Sequence, residues 1–141
     1  MSENNHVIRG LGEIALRVND LDVMQAFYNK VIGLVLMKRF PDAAFFRIAE
    51  GVAGHTQVLA LFDRTERDAY VAPEAARSTV DHIAFAISRA DFDSEHARLV
   101  SLGLDVRTAE HAWVQWRSIY IDDPEGNLVE LVCYDPTVTL E

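Results

Sequence analysis

The chain has 141 residues, half of them hydrophobic and a quarter charged, which is enough for one globular domain with a hydrophobic core. Its net charge of −9 disfavours nucleic acid and anionic membrane surfaces as partners. The single cysteine excludes an internal disulfide, and we find neither a signal peptide nor an apolar run long enough to span a bilayer, so we expect a cytoplasmic protein.

The first half of the chain is predicted to contain one strand, one helix and three further strands. The strand Leu11–Val18 is followed by a helix over Leu21–Val31, which Asp20 caps and Gly33 ends. The three later strands are predicted at Leu34–Phe40, Ala44–Ala49 and Thr56–Phe62.

The second half repeats this order after a charged linker over residues 63–79, whose middle is predicted to form a short helix. We expect a strand at Val80–Ile87 and a helix at Asp91–Leu102. The later strands are predicted at Leu104–Thr108, Trp116–Ile121 and Leu128–Tyr134, with Glu110–Gln115 as a loop.

The two halves are an internal repeat. Glu13–Asn19 aligns with His82–Ser88, and Ala60-Leu61 aligns with Glu130-Leu131. The chain is therefore predicted to be a single α+β domain of two βαβββ modules. Module one covers about residues 8–62 and module two about residues 80–134.

Strand periodicity places one ligand-type side chain on the face of each module that the helix does not cover. In the first strand Ile14, Leu16 and Val18 form the apolar face, so Glu13 and Arg17 lie opposite. The repeat relates four positions: Glu13, Ala60, His82 and Glu130. Three of these four carry metal-ligand side chains, which indicates a metal site.

Several stretches also match a known pattern. They are Glu13–Asp22, Phe27-Tyr28, Val31–Leu34, Asp81–Phe85 and Asp123–Leu131. In these stretches the chain resembles the vicinal oxygen chelate superfamily, which includes lactoylglutathione lyases, methylmalonyl-CoA epimerases, extradiol dioxygenases, fosfomycin-resistance thiol transferases and bleomycin-binding proteins.

The resemblance implies a curved mixed sheet with helices outside, a cavity on the concave face, and a homodimer, often with exchange of modules between chains. It also implies metal ligands at Glu13, His82 and Glu130. The family commonly has His or Gln where this chain has Glu13, and Ala60 cannot bind a metal. The three-ligand arrangement of dioxygenases and thiol transferases is therefore closer than the four-ligand one.

Two carboxylates and one imidazole suit a divalent ion such as Mn²⁺, Fe²⁺, Ni²⁺ or Zn²⁺, with positions left open for substrate oxygens. Glu13 and Glu130 would act in catalysis as ligands, or Glu13 would act as a general base. In the alternative interpretation, Glu130 pairs with Arg17 or Arg47 and the acids line a cavity that binds no metal.

Four residues are predicted to contact a small-molecule substrate: Arg17, Phe46, Trp116 and Tyr120. Trp113 is also predicted to line the cavity; in the alternative interpretation, Trp113 and Trp116 cover the sheet or a dimer contact. His6, His96 and His111 are predicted to have no function, and Cys133 is expected to point into the core.

Two functions remain open from the sequence. The first is a divalent-metal-dependent enzyme acting on a small oxygenated substrate, as a lyase, isomerase, dioxygenase or transferase. Ring cleavage would need an acid–base residue, for which no candidate is predicted, and thiol transfer to a phosphonate would need a more basic cavity. The second is a metal-free binding protein similar to bleomycin resistance proteins, with an acidic, tryptophan-containing cavity for a flat cation.

Overall fold

A computed structural model describes residues 7–65 and 79–141. The chain divides into two compact units, Met1–Tyr70 and Val71–Glu141, which correspond to the two modules. The helix predicted in the middle of the linker lies outside the described residues. None of the described helices is both long enough and apolar enough to cross a membrane.

The first unit forms a four-stranded sheet with one helix. Its elements are β1 (Glu13–Val18), α1 (Leu21–Ala26), a π-helical turn (Phe27–Ile32), β2 (Val35–Phe40), β3 (Ala43–Glu50) and β4 (Thr56–Asp63). The strand order is β1-β4-β3-β2. Strands β1 and β4 are parallel and the other neighbours are antiparallel.

The predicted signals for the first helix are confirmed. The Asp20 carboxylate accepts a hydrogen bond from the Val23 N–H at 3.1 Å, which satisfies one free donor of the first turn. Gly33 ends the helical segment with φ 93°, a conformation that costs glycine little. Met24, Phe27 and Tyr28 are buried against the sheet.

The second unit has the same architecture. Its elements are β5 (His82–Ala86), a 3₁₀ turn (Arg89–Asp91), α2 (Phe92–Ser101), β6 (Arg107–His111), β7 (Trp116–Asp122) and β8 (Leu128–Tyr134). The strand order is β5-β8-β7-β6, which is the order of the first unit. The predicted α+β fold of two βαβββ modules is thereby confirmed, with the hydrogen-bonded ladders forming one sheet in each unit.

The strand register repeats as well. Glu13 lies opposite Val58 in the parallel pair β1–β4. The equivalent pair in the second unit places His82 opposite Leu128. The equivalence of the four positions inferred from the repeat therefore holds in the strand pairing.

The apolar faces of the first strands are buried as predicted. Leu16 and Val18 in β1, and Ile83 and Phe85 in β5, form part of the core. Glu13 and Arg17 on the other face of β1 are exposed. Cys133 is buried on the core side of β8 together with Val129 and Leu131.

The prediction for β6 was wrong by about three residues. The sequence predicts a strand over Leu104–Thr108, whereas the structure forms it at Arg107–His111. β6 is the last strand of its sheet, and such strands are commonly polar because they pair on one side only. The apolar Leu104 and Val106 therefore gave a misleading signal, and His111 belongs to the strand.

Candidate functional site

Glu130 is a nearly buried carboxylate in the middle of the second sheet. It lies on β8 between β5 and β7 and is 5% exposed. The Ser118 hydroxyl donates a hydrogen bond to Glu130 Oε2 at 2.5 Å. On the other side, His82 Nε2 lies 3.1 Å from Glu130 Oε1. A buried carboxylate needs hydrogen-bond donors, and Ser118 of the same module supplies one to Oε2, while Oε1 faces the His82 ring.

His82 is held by a second carboxylate. Its Nδ1 atom lies 2.7 Å from Asp81 Oδ1, so its two ring nitrogens face different acidic side chains. The imidazole is 39% exposed, which leaves it open to a ligand while Glu130 behind it is covered.

His111 and Tyr120 complete the surroundings of Glu130. The Nε2 atom of His111 lies 3.0 Å from the Tyr120 hydroxyl and 3.9 Å from Glu130 Oε2. Burial, followed by the charge of Glu130, raises the pKa of Tyr120, so its hydroxyl stays protonated at neutral pH and can act as a hydrogen-bond donor. We call the five side chains His82, His111, Ser118, Tyr120 and Glu130 the Glu130 cluster.

His111 lies beside Tyr120 and Glu130, although the sequence predicts no function for it. It was assigned to a loop because β6 was placed too early in the sequence. In the structure it lies at the end of β6, opposite Trp116 of β7. Tyr120 itself is paired with Arg107, so the contact between His111 and Tyr120 runs diagonally across the two strands, and the sequence carried no direct signal for it.

Trp116 extends the same face of the sheet. Trp116, Ser118 and Tyr120 alternate along β7 and therefore point to one side. Trp116 is partly exposed, and its ring centroid lies 6.2 Å from that of Trp113. Trp116 therefore lies on the face that carries the cluster, and the exposed Trp113 of the preceding turn packs near it.

Phe46 is not in a position to contact a substrate. It is fully buried, pairs with Leu59 and packs against Tyr28 of the helical segment. Its neighbour Phe45 is the residue that points to the other face, opposite Ala60. The available signal was Arg47, which shares the face of Phe45 by strand alternation and leaves Phe46 on the buried face with Ala44.

The other predicted residues of the first unit are Glu13 and Arg17. Both are exposed on the face of β1 that faces away from α1. They belong to a different unit from His82 and Glu130. The structure thus brings two of the three predicted metal ligands together within one unit.

The donor set of the cluster fits a divalent ion. An imidazole nitrogen and a carboxylate oxygen face each other at 3.1 Å, and both are ligands that such ions accept. Among the described residues of either unit, no group of three or more His, Cys, Asp or Glu side chains is arranged to hold a metal. The pair supplies two ligands, and further ligands would have to complete the shell.

A cleft of about 560 Å³ lies on the opposite face of the second sheet. Phe92, Asp93 and His96 of α2 line one side, and Thr108, Glu110 and Arg117 line the other. No predicted site residue lines it. The Arg117 guanidinium forms an ion pair with the buried Asp135 at 3.1 Å and lies 5.4 Å from the centroid of the Phe92 ring. These contacts give Arg117 a structural role.

Comparison with known proteins identifies the family. A sequence model of the Glyoxalase/Bleomycin resistance protein/Dioxygenase superfamily matches residues 10–131. The chain is 26% identical over 127 residues to the metallothiol transferase FosB of Shouchella clausii, with 89% of this chain and 80% of the relative covered. It is 28% identical over 138 residues to a catechol-2,3-dioxygenase of Bacillus subtilis, covering 97% of this chain but only 44% of that protein.

Solved structures agree with this assignment. A lactoylglutathione lyase from Agrobacterium tumefaciens superposes with a TM-score of 0.65 and 30% identity, covering 91% of this chain and 96% of the lyase. The relatives named are enzymes, which confirms the expectation of an enzyme and does not favour the metal-free binding alternative. The chain belongs to the glyoxalase, bleomycin resistance protein and dioxygenase superfamily, the vicinal oxygen chelate superfamily that its sequence resembles.

Proposed function

We propose that the protein is a divalent-metal-dependent enzyme that removes a proton from a small substrate carrying neighbouring oxygen atoms. The observation that carries this proposal is the 3.1 Å approach of the half-exposed His82 Nε2 to Oε1 of the buried Glu130 on one face of the second sheet. One relative is named a metallothiol transferase, which supports a metal in this family.

His82 and Glu130 would hold the metal from module two. A bound divalent ion would stabilise negative charge that develops on a substrate oxygen. Glu13 as the third ligand is a prediction from the repeat, and so is the identity of the ion as Mn²⁺, Fe²⁺, Ni²⁺ or Zn²⁺.

The pair of His111 and Tyr120 supplies the proton chemistry. The Tyr120 hydroxyl belongs to the residue paired with Glu130 and lies 3.0 Å from His111 Nε2. A proton removed from a substrate hydroxyl would be held by His111, while Tyr120 orients the oxygen that loses it. This assigns to His111 the acid–base role for which the sequence offered no candidate.

Charge argues against an anionic phosphonate as the substrate. None of the five side chains in the Glu130 cluster is a lysine or an arginine. Arg107, on the His111 side of β6, is engaged by Asp122 at 3.1 and 3.2 Å and by Asp105. A neutral diol or hydroxyketone, flanked by Trp116, fits this half of the site better. Arg17 remains a predicted substrate contact from module one.

Metal content is the first test. Tag-free wild-type protein is expected to carry about one ion per chain by plasma mass spectrometry, and His82→Ala and Glu130→Gln are expected to lose it. His96→Ala is the matched control because His96 lies on α2, at the cleft on the other face. Wild-type protein that binds no ion after addition of Mn²⁺, Fe²⁺, Ni²⁺ or Zn²⁺ would overturn the proposal.

Turnover separates binding from chemistry. The wild-type protein is first screened for turnover of catechols, lactoylglutathione and thiol acceptors. On the compound that is turned over, we expect His111→Phe to retain the metal but to lose about 100-fold or more in kcat. A variant with unchanged kcat would remove His111 from the mechanism.

Two further predictions concern module one and assembly. Glu13→Gln should lower metal content if Glu13 is the third ligand, whereas Glu50→Gln, at the exposed end of β3, should leave it unchanged.

Light scattering after gel filtration should give the mass of a homodimer, and mixing two tagged chains would reveal exchange of modules.

A further inference from the structure

We propose that Asp81 and Ser118 are positioning residues that fix His82 and Glu130 in the orientations needed to receive a metal ion. Neither residue was among the predicted site residues. The inference rests on the metal-dependent function proposed above, but its physical content concerns hydrogen bonds that exist without a metal.

Asp81 controls the location of the proton on the His82 ring. The two ring nitrogens face two competing acceptors, Asp81 Oδ1 at 2.7 Å and Glu130 Oε1 at 3.1 Å. In the neutral ring only one nitrogen carries hydrogen. The shorter contact places that hydrogen on Nδ1, which leaves the lone pair of Nε2 directed toward Glu130 and available to a metal.

Without Asp81 the proton of the His82 ring would take a different position. Glu130 would then be the remaining carboxylate acceptor at the ring, and the proton would move to Nε2. That nitrogen would donate to Glu130 Oε1, so a hydrogen bond would occupy both metal-binding atoms. Asp81 thus prevents a direct hydrogen bond between the two metal ligands.

Ser118 plays the corresponding part for Glu130. Its hydroxyl is fully buried and donates to Oε2 at 2.5 Å, which sets the rotation of the carboxylate. One oxygen is thereby tied to β7, and the other, Oε1, faces His82. Short hydrogen bonds of this charge-assisted type are stronger than neutral ones.

The two contributions should differ in size. Loss of a residue that orients a metal ligand typically lowers metal affinity by about 10- to 100-fold. Ser118 is 0% exposed and should lie toward the upper end of that range. The Asp81 side chain is 92% exposed, so water can replace part of its contact, and the expected loss is nearer tenfold.

The first measurement uses metal-free protein. Nitrogen-15 NMR of the imidazole rings at about pH 9, where an ordinary histidine is neutral, reports which nitrogen carries hydrogen. We expect the Nδ1–H form for His82 in wild type, the Nε2–H form in Asp81→Ala, and restoration in Asp81→Asn, whose amide oxygen still accepts. Asp93→Ala, an exposed carboxylate of the same unit, should leave His82 unchanged. An unchanged His82 tautomer in Asp81→Ala would overturn the role of Asp81.

The second measurement concerns Ser118. In metal-free Ser118→Ala the carbon-13 signal of the Glu130 carboxyl should shift, and it should stay in place in Ser88→Ala, which removes a hydroxyl that bonds to Asp91 elsewhere. Ser118→Thr keeps the hydroxyl and provides a second variant if alanine prevents folding. A Glu130 signal that does not move when the hydroxyl is removed would overturn the role of Ser118.

Titration calorimetry with Zn²⁺ then connects orientation to affinity. Weaker binding by about 10- to 100-fold in the two alanine variants supports the proposal, and unchanged affinity overturns it. If wild-type protein binds no metal, the proposed function fails, and the NMR results still decide whether Asp81 and Ser118 orient the two side chains.

Discussion

Ala84 lies opposite Glu130 in the parallel pair β5–β8, at the register position where Ala15 lies opposite Ala60 in the first unit. The supporting residues differ between the modules too. Across the antiparallel pair, Tyr120 faces Glu130, whereas Phe45 faces Ala60. The backbone has been duplicated, but only the second copy carries the polar cluster, so the first copy could not support a carboxylate at this position.

This difference predicts that a ligand cannot simply be restored at Ala60. The residue is fully buried, and Ala60→Glu would place a carboxylate beside Phe45 without a hydroxyl to hold it. We expect a loss of about 3 kcal/mol or more in the free energy of unfolding, because an unpaired buried charge is costly.

Urea denaturation measures this loss. The matched control is Ala15→Glu, which puts the same side chain on the exposed face of β1 and should change the free energy of unfolding by about 0.5 kcal/mol or less. Equal stability of the two variants would mean that a carboxylate is accommodated at Ala60, contrary to this account.

The pairing of His82 with Glu130 was predictable because strand alternation and the repeat both fix it. The position of His111 beside Tyr120 was not predictable, because the edge strand Arg107–His111 has no apolar alternation that would reveal where it lies. Phe45 and Phe46 are both large and apolar, and Arg47 was the residue that distinguished the two faces of their strand. Strand alternation places Ser118 on the face of Tyr120, but only the structure shows that it is buried and bonded to Glu130.

The burial of Phe46 predicts a structural role in place of the expected substrate contact. Phe46→Ala should reduce the free energy of unfolding by about 3–5 kcal/mol, because a large buried side chain leaves a cavity. Phe40→Ala, at the half-exposed end of β2, should cost about 1 kcal/mol or less. Metal content measured at a temperature where both variants are folded should equal that of wild type, and a selective loss in Phe46→Ala would restore Phe46 to the site.

The thiol of Cys133 is predicted to be inert in the folded protein. Burial, with a further contribution from Asp135, raises its pKa, so little thiolate forms at neutral pH. A thiol reagent such as dithionitrobenzoate should react only after urea unfolds the chain. A Ser101→Cys variant, with a thiol at the exposed end of α2, should label rapidly before unfolding and shows that the reagent is active. Rapid labelling of wild type would contradict the buried placement.

Asp135 predicts how stability depends on acid. The hydroxyl and the backbone N–H of Thr137 donate to its carboxylate at 2.6 and 2.9 Å, and Arg89 and Arg117 lie at 3.2 and 3.1 Å. Foremost through the Thr137 bonds, these contacts hold the pKa of Asp135 below its ordinary value. A lower pKa in the folded chain means that the stabilisation is complete above the unfolded value of about 3.9 and is lost as pH falls through the folded value.

Asp135→Asn removes this dependence. The variant should be less stable than wild type at pH 7, because Arg89 and Arg117 lose their buried partner, and the difference should shrink as the pH falls below about 3.9. Urea midpoints between pH 7 and pH 2.5 measure it. Asp105→Asn, whose side chain is 84% exposed, should shift the midpoint little at either end. A difference that stays constant across this range would mean that the carboxylate of Asp135 does not contribute through its ionisation.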